Sequence, residues 1–247
     1  MYMQNSEYFE LLFQFSREVT PYLSGHLANQ TDCYSYNAGP HLHISKDNSE
    51  QIKVLYERLS QATPEAGSAY WLTRTWDLLC WQPVYIAFIS IYQLRALPNI
   101  KEMSQEIKSD FVAGYTFHHS DLTFGSNEDL ISSVSQQLSE LFSSYREDIS
   151  QWTRIRPGFT NHLLADGLLN CIVKLQANWP TLSNEYLLEQ AKLWLEAFSL
   201  PNKHLSSLQI DVNTKQLRLV RTSCCLVYKC DGRKLCPDCP RHPDNKS

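Results

Sequence analysis

Apolar residues recur at helical spacing through most of the first 200 positions. Tyr8, Leu11, Leu12 and Phe15 place a helix over Glu7–Val19. Ile52, Leu55, Tyr56 and Leu59 form a second stripe, with Asn48 placed to cap it, Gln51 at the third position and Pro64 closing it. Tyr70–Leu79 and Val84–Leu97 read as two buried helices, separated or kinked at Pro83 and ended by Pro98. Ser126, followed three residues later by Asp129, has a capping-box signature. Behind it Leu130, Val134, Leu138, Leu141, Phe142, Tyr145 and Ile149 sustain an amphipathic helix as far as Arg154-Ile155-Arg156-Pro157. Two further helices are expected over Asn161–Ala177 and Ser183–Phe198.

Two stretches break this period. Asp110–Phe124 is rich in β-formers and punctuated by Gly114 and Gly125, which predicts one or two short strands. Leu208-Gln-Ile210 and Leu217-Arg-Leu219 alternate apolar and polar around a turn at Asp211–Lys215, the pattern of a β-hairpin. The predicted class is therefore α+β: a mostly helical body with a few short strands and a C-terminal hairpin leading into a cysteine-rich loop. Pro201 divides it, giving a helical domain over 1–200 and a hairpin-plus-cysteine segment over 201–247. The residues after Cys239 read as a short, polar, mobile tail.

The 247 residues carry 43% hydrophobic and 12% aromatic side chains, enough for a packed core, and a net charge of −4 that argues against nucleic acid as a partner. No basic-then-apolar leader opens the chain, and the longest apolar run, Val84–Tyr92, is too short to cross a bilayer, which takes about 20 residues. These features predict a cytoplasmic protein. In a reducing compartment clustered cysteines mark metal binding or redox chemistry more than a disulfide framework.

Cys224, Cys225, Cys236 and Cys239 follow the pattern Cys-Cys-x10-Cys-x2-Cys. Asp231-Gly232 supplies a turn in the intervening loop, and Pro237 and Pro240 stiffen the second pair. Thiolates in this number suit an iron–sulfur or zinc centre. Structural zinc sites usually join two spaced pairs, so the adjacent Cys-Cys favours iron–sulfur; a redox disulfide is the third reading. The Cys-x2-Cys turn is expected to aim both its sulfurs at one metal. Cys230 stands inside the loop as a spare thiol or alternative ligand.

This tail resembles the C-terminal cluster of FhuF-type ferric-siderophore reductases, whose four cysteines have the same spacing and bind a 2Fe–2S centre. Tyr70-Trp-Leu-Thr-Arg74-Thr-Trp76-Asp-Leu-Leu-Cys80-Trp81-Gln-Pro83 is also similar to the helical region of those proteins. The resemblance implies that Cys224, Cys225, Cys236 and Cys239 ligate the cluster and that the activity is one-electron reduction of iron(III) in a siderophore, with a hydroxamate type expected. It further implies an association with an inner-membrane siderophore transporter.

The eight glycines never fall within two residues of one another, so no Gly-x-Gly-x-x-Gly nucleotide loop exists. Electrons are then expected from a ferredoxin, flavodoxin or flavin reductase. Arg74, Trp76, Arg154, Arg156 and Lys174 are the candidate contacts for siderophore oxygens, each with an ordinary structural reading beside it. Lys229, Arg233, Lys234 and Arg241 flank the cysteines and could offset cluster charge or attract an anionic partner. His118-His119 point apart on a strand and are not expected to hold a metal together. The alternatives to a reductase are an iron–sulfur redox or iron sensor and a zinc-stabilised binding module.

Overall fold

The computed structural model describes residues 5–28 and 40–245; Cys33 and the first residues read for a leader lie outside them. The chain forms two compact units, Met1–Leu59 with Leu78–Arg154, and Ser60–Asp77 with Ile155–Ser247. The packing thus groups residues 60–77 and 155–200 with the C-terminal segment, where the sequence suggested a division at Pro201.

The first unit is built on a four-stranded sheet. Its strands are β1 (Gly25–Leu27), β2 (His41–Leu42), β4 (Ser104–Ile107) and β5 (Val112–Phe117), in the order β1-β5-β4-β2. Only β1 and β5 run parallel; β4 is antiparallel to both of its neighbours, with a bulge opposite β5. A separate antiparallel pair joins β3 (Ala96–Pro98) to β6 (Leu122–Phe124). Helix α1 (Asn5–Val19) buries Tyr8, Phe9 and Leu12, with the Phe9 ring edge-on to Phe117 at 5.3 Å and Ser16 accepting from Tyr115 Oη at 2.8 Å.

Helix α2 (Ser49–Ala62) follows the predicted stripe. The Asn48 amide before it closes the preceding loop, accepting from His43 N and donating to the His43 and Lys46 carbonyls and to Asp148 Oδ2.

The two helices predicted around Pro83 are one helix, α3 (Ser68–Ile89), ending in a π turn over Ser90–Leu94 rather than at Leu97. A proline inside a helix leaves the carbonyl four residues earlier without its donor. Here that carbonyl belongs to Leu79, and Gln105 Nε2 donates to it at 2.9 Å. Gln105 also donates to Tyr145 Oη and accepts from Gln82, which in turn brackets the Gly114 backbone on β5. Gly114 has φ +95°, a conformation that side chains with a Cβ rarely adopt. Buried polar groups satisfied in this way fix the sheet against the helix. Arg95 takes a left-handed turn directly after the π segment, and β3 begins.

Helix α4 (Asn127–Ser150) realises the predicted capping box, with Ser126 accepting from Asp129 N and Asp129 accepting from Ser126 N. Its buried face carries Leu130, Val134, Leu138, Leu141, Phe142, Tyr145 and Ile149, the stripe read from the sequence.

The second unit centres on α5 (Pro157–Asn178), which starts with proline in its first turn, and on α6 (Asn184–Ala197), capped by Ser183. Leu168, Leu169, Ile172, Leu187, Ala191, Trp194 and Leu195 form its fully buried core. The hairpin occupies the predicted residues, β7 (Leu208–Ile210) against β8 (Leu217–Leu219), with Leu208 opposite Leu219. Gln176 on α5 anchors it by accepting from Leu217 N at 2.8 Å while donating to Asn184. No helix among the described residues is long and apolar enough to cross a membrane.

Candidate metal centre

Beyond β8 the chain has almost no regular structure, so its backbone groups need other partners. Asp166 supplies them from the middle of α5. Its Oδ1 accepts from Thr222 N at 2.8 Å and Thr222 Oγ1 at 3.0 Å, and its Oδ2 accepts from Ser223 N at 2.8 Å. Burial raises the pKa of this 4%-exposed carboxyl, and the Thr222 and Ser223 donors oppose the shift. On the far side Arg221 N donates to Asp238 O at 2.9 Å, tying the first cysteine pair to the second. Cys224 and Cys225 are thereby delivered between two fixed points.

The four sulfurs meet in twos. Cys224 Sγ lies 3.4 Å from Cys239 Sγ, and Cys225 Sγ lies 3.6 Å from Cys236 Sγ. A disulfide would need about 2.05 Å. A tetrahedral metal with metal–sulfur bonds of about 2.3 Å holds two sulfurs about 3.8 Å apart, close to both separations. Each pair therefore has the bite of one metal ion. Among the described residues no three His, Cys, Asp or Glu side chains converge on a single point. Two thiolates for each of two irons is the ligand set of a 2Fe–2S centre.

This pairing corrects the expectation for the Cys-x2-Cys turn. Cys239 N donates to Cys236 O at 3.0 Å, so the tight turn exists, yet its sulfurs go to different partners. The adjacent Cys224 and Cys225 likewise go to different partners.

Three of the sulfurs also have a nearby N–H donor. Leu226 N approaches Cys224 Sγ and Arg241 N approaches Cys239 Sγ, both at 3.4 Å. Leu226 reaches this position with φ +62°, unusual for a residue with a Cβ. Such a conformation costs of order 1 kcal/mol and persists where the surroundings hold it. Arg221 Nη2 lies 3.7 Å from Cys225 Sγ. As free thiols Cys224 and Cys236 are pushed up by burial and, further, by the thiol facing each of them, while Arg221 opposes the shift at Cys236. A metal removes this penalty by taking the place of the proton.

Cys230 belongs elsewhere. It is buried with Ala66 and Tyr70, flanked by Trp71, Leu226 and Val227. The Tyr70 hydroxyl is pushed up to about 12, first by burial and then by its hydrogen bond with Cys230. Glu65 Oε1 accepts from Asp231 N at 2.9 Å, so this small apolar cluster and one carboxylate hold the loop between the cysteine pairs. Gly232, at φ +72°, makes the predicted turn next to it.

The residues after Cys239, read as mobile, close the site. They form a turn over Pro243–Asn245, and Asn245 Nδ2 donates to the carbonyls of Pro237 at 2.7 Å and Cys239 at 2.9 Å. Its Oδ1 accepts from Arg218 on β8, which links the second cysteine pair to the hairpin.

Of the other candidates, Lys229, Arg233, Lys234 and Arg241 are exposed around the cysteines, and Arg241 Nη1 donates to Tyr228 Oη at 2.7 Å. Trp76 is 1% exposed and packs as core, which leaves it no face for a ligand. Arg74 is half-buried; its positive charge opposes the rise of the Asp77 carboxyl, which burial pushes up to about 6. Arg156 is the exposed residue before α5, Lys174 is exposed on that helix, and Arg154 is exposed in the other compact unit. His118, just beyond the end of β5, pairs with Ser104 Oγ at 2.7 Å and meets the His43 ring edge-on. Sequence reasoning missed Asp166, Arg221, Asp238 and Asn245, because each acts through spatial proximity and none lies on a recognisable spacing.

Residues 221–241 match the model of the FhuF 2Fe-2S C-terminal domain, and no solved structure matches the chain. The matched stretch begins at Arg221 and ends at Arg241, covering both thiol pairs and the donors to their sulfurs. The match is confined to this C-terminal segment, and with the two thiol pairs it assigns the chain a 2Fe–2S centre as cofactor.

Proposed function

We propose that this iron–sulfur protein is a cytoplasmic ferric-siderophore reductase of the FhuF type, with Cys224, Cys239, Cys225 and Cys236 as the ligands of its centre. The observation that carries the reading is the meeting of the four thiols in two pairs inside a segment that matches a 2Fe–2S domain. When bound, a 2Fe–2S group supplies transfer of one electron at a time, which suits the conversion of iron(III) to iron(II). Hard oxygen chelators hold iron(II) far less tightly than iron(III), so that single step frees the metal and spares the chelator.

The chain's own residues prepare this site. Cys239 is 1% exposed, whereas Cys224, Cys225 and Cys236 keep part of their surface open, so an iron chelate can approach one side. Lys229, Arg233, Lys234 and Arg241 form an exposed basic rim that favours anionic visitors, either the chelate or an acidic electron carrier. Backbone donors from Leu226 and Arg241 and the Arg221 guanidinium stabilise negative sulfur. The electron donor is a separate ferredoxin, flavodoxin or flavin reductase, and docking at the inner membrane would place the protein beside siderophore import.

Anaerobic mixing of the dithionite-reduced protein, freed of excess dithionite, with ferric hydroxamates tests this. Re-oxidation of the visible spectrum with release of one iron(II) per chain is expected. A reduced protein that holds its electron against every ferric chelate would point to a sensor instead.

A further inference from the structure

We propose that Arg221 makes the centre electronically lopsided, so that the electron it accepts resides on the Cys225/Cys236 side. This rests on the assignment of the four cysteines as ligands but not on the identity of the substrate.

The two thiol pairs receive different donors. Cys224 and Cys239 each face a neutral backbone N–H, from Leu226 and Arg241. In the other pair Cys225 faces the guanidinium of Arg221, whose Nη2 stands 3.7 Å from Cys225 Sγ, and Cys236 lies 3.6 Å from that sulfur. Hydrogen bonds from a charged donor are roughly twice as strong as neutral ones and strengthen as the acceptor gains charge. Reduction by one electron adds negative charge to one iron and its two sulfurs, and the lower-energy choice is the pair facing the cation.

Arg221 is built to hold that position. Its Nη2 donates to Asp238 Oδ1 at 2.9 Å, its Nε lies 2.8 Å from Asp238 Oδ2, and its own backbone N–H bonds Asp238 O. Asp77 and Asp166 also feel Arg221, so carboxylates balance it. Asp238 has the opposite electrical effect from Arg221 on the same pair, which separates tuning from scaffolding.

The experiment is a dithionite-based spectroelectrochemical titration of the full-length, cluster-loaded protein and its Arg221→Gln, Arg221→Lys and Asp238→Asn variants. Arg221→Gln should lower the reduced-to-oxidised ratio at a fixed potential about tenfold, a shift of 59 mV to more negative values. Arg221→Lys should recover most of that shift, and Asp238→Asn should move the potential positive. A merely structural role would push Arg221→Gln and Asp238→Asn the same way, and that result overturns the proposal. If Arg221→Gln fails to retain the centre, Asp238→Asn and Arg221→Lys still decide it by sign. In the reduced wild type, proton NMR should give the Cys225 and Cys236 β-protons the temperature dependence of a ferrous site and those of Cys224 and Cys239 that of a ferric one; the reverse assignment overturns it too. A wild-type chain with no visible absorbance would instead defeat the ligand assignment.

Discussion

The four-stranded sheet and the cysteine segment face the same problem, how to satisfy backbone polar groups, and solve it differently. In the sheet the ladder β1-β5-β4-β2 distributes the task over many equivalent bonds, and Gln82, Gln105 and Tyr145 fill in where Pro83 and Gly114 break the pattern. In residues 221–241 a few side chains do it. Asp166 takes three donors, and Asn245 reaches two carbonyls. Distributed bonding tolerates the loss of one partner, whereas concentrated bonding makes single residues decisive. The cysteine segment should therefore respond to single substitutions through the cofactor, and the sheet through stability alone.

The largest effect should come from the thiols. Serine at Cys224, Cys225, Cys236 or Cys239 replaces a soft ligand by a hard one, and the visible absorbance of the purified protein should be lost or strongly degraded. Cys230→Ser should leave the spectrum in place, since Cys230 packs against Tyr70 and Ala66. A spectrum lost with Cys230→Ser but kept with Cys224→Ser would reverse the ligand assignment.

Next, Asp166→Asn and Gln105→Leu contrast the two regions directly. Asp166→Asn sets an amide N–H against a backbone N–H and should loosen the 221–223 stretch by about 2 kcal/mol. Its centre should then bleach faster under a chelator than the wild type's. Gln105→Leu should lower the melting temperature through the buried network by a similar amount and leave the bleaching rate unchanged. Equal bleaching in both variants would erase the distinction.

A smaller effect concerns pH. Asp77 is raised from 3.8 to about 6, mainly by burial and against the pull of Arg74 and Arg221. A folded pKa above the unfolded one gives stability that is fully present below pH 3.8 and lost as pH rises through 6. The loss is roughly 3 kcal/mol at most. Asp77→Asn should therefore gain on the wild type in melting temperature between pH 5 and 7.5, by several degrees. A constant difference across that range would show that Asp77 does not titrate as described.

How far the sequence could be read follows the same divide. The long helix α4, its capping box and the hairpin strands were legible because hydrophobic period and local caps determine them. Helix α3 was read as two because Pro83 marks a break, and the rescue of Leu79 O by Gln105 lies 26 residues away in sequence. Strands β1, β2 and β4 are two to four residues long, too short for a period to show. At the metal centre the four cysteines announced themselves by spacing. Their partners could not, since Asp166 is 56 residues from Thr222 and resembles any other helical aspartate until the chain folds. Spacing also suggested that Cys236 and Cys239 share a metal, and only the fold shows them parting company.

The central claim is that four thiols in two pairs hold two irons and not one metal. Native mass spectrometry of the anaerobically purified chain tests it most directly. The account predicts a species heavier than the polypeptide by two irons and two sulfides, which collapses to the bare mass in the Cys225→Ser variant. A mass increment of a single zinc or a single iron, with no sulfide, would contradict it.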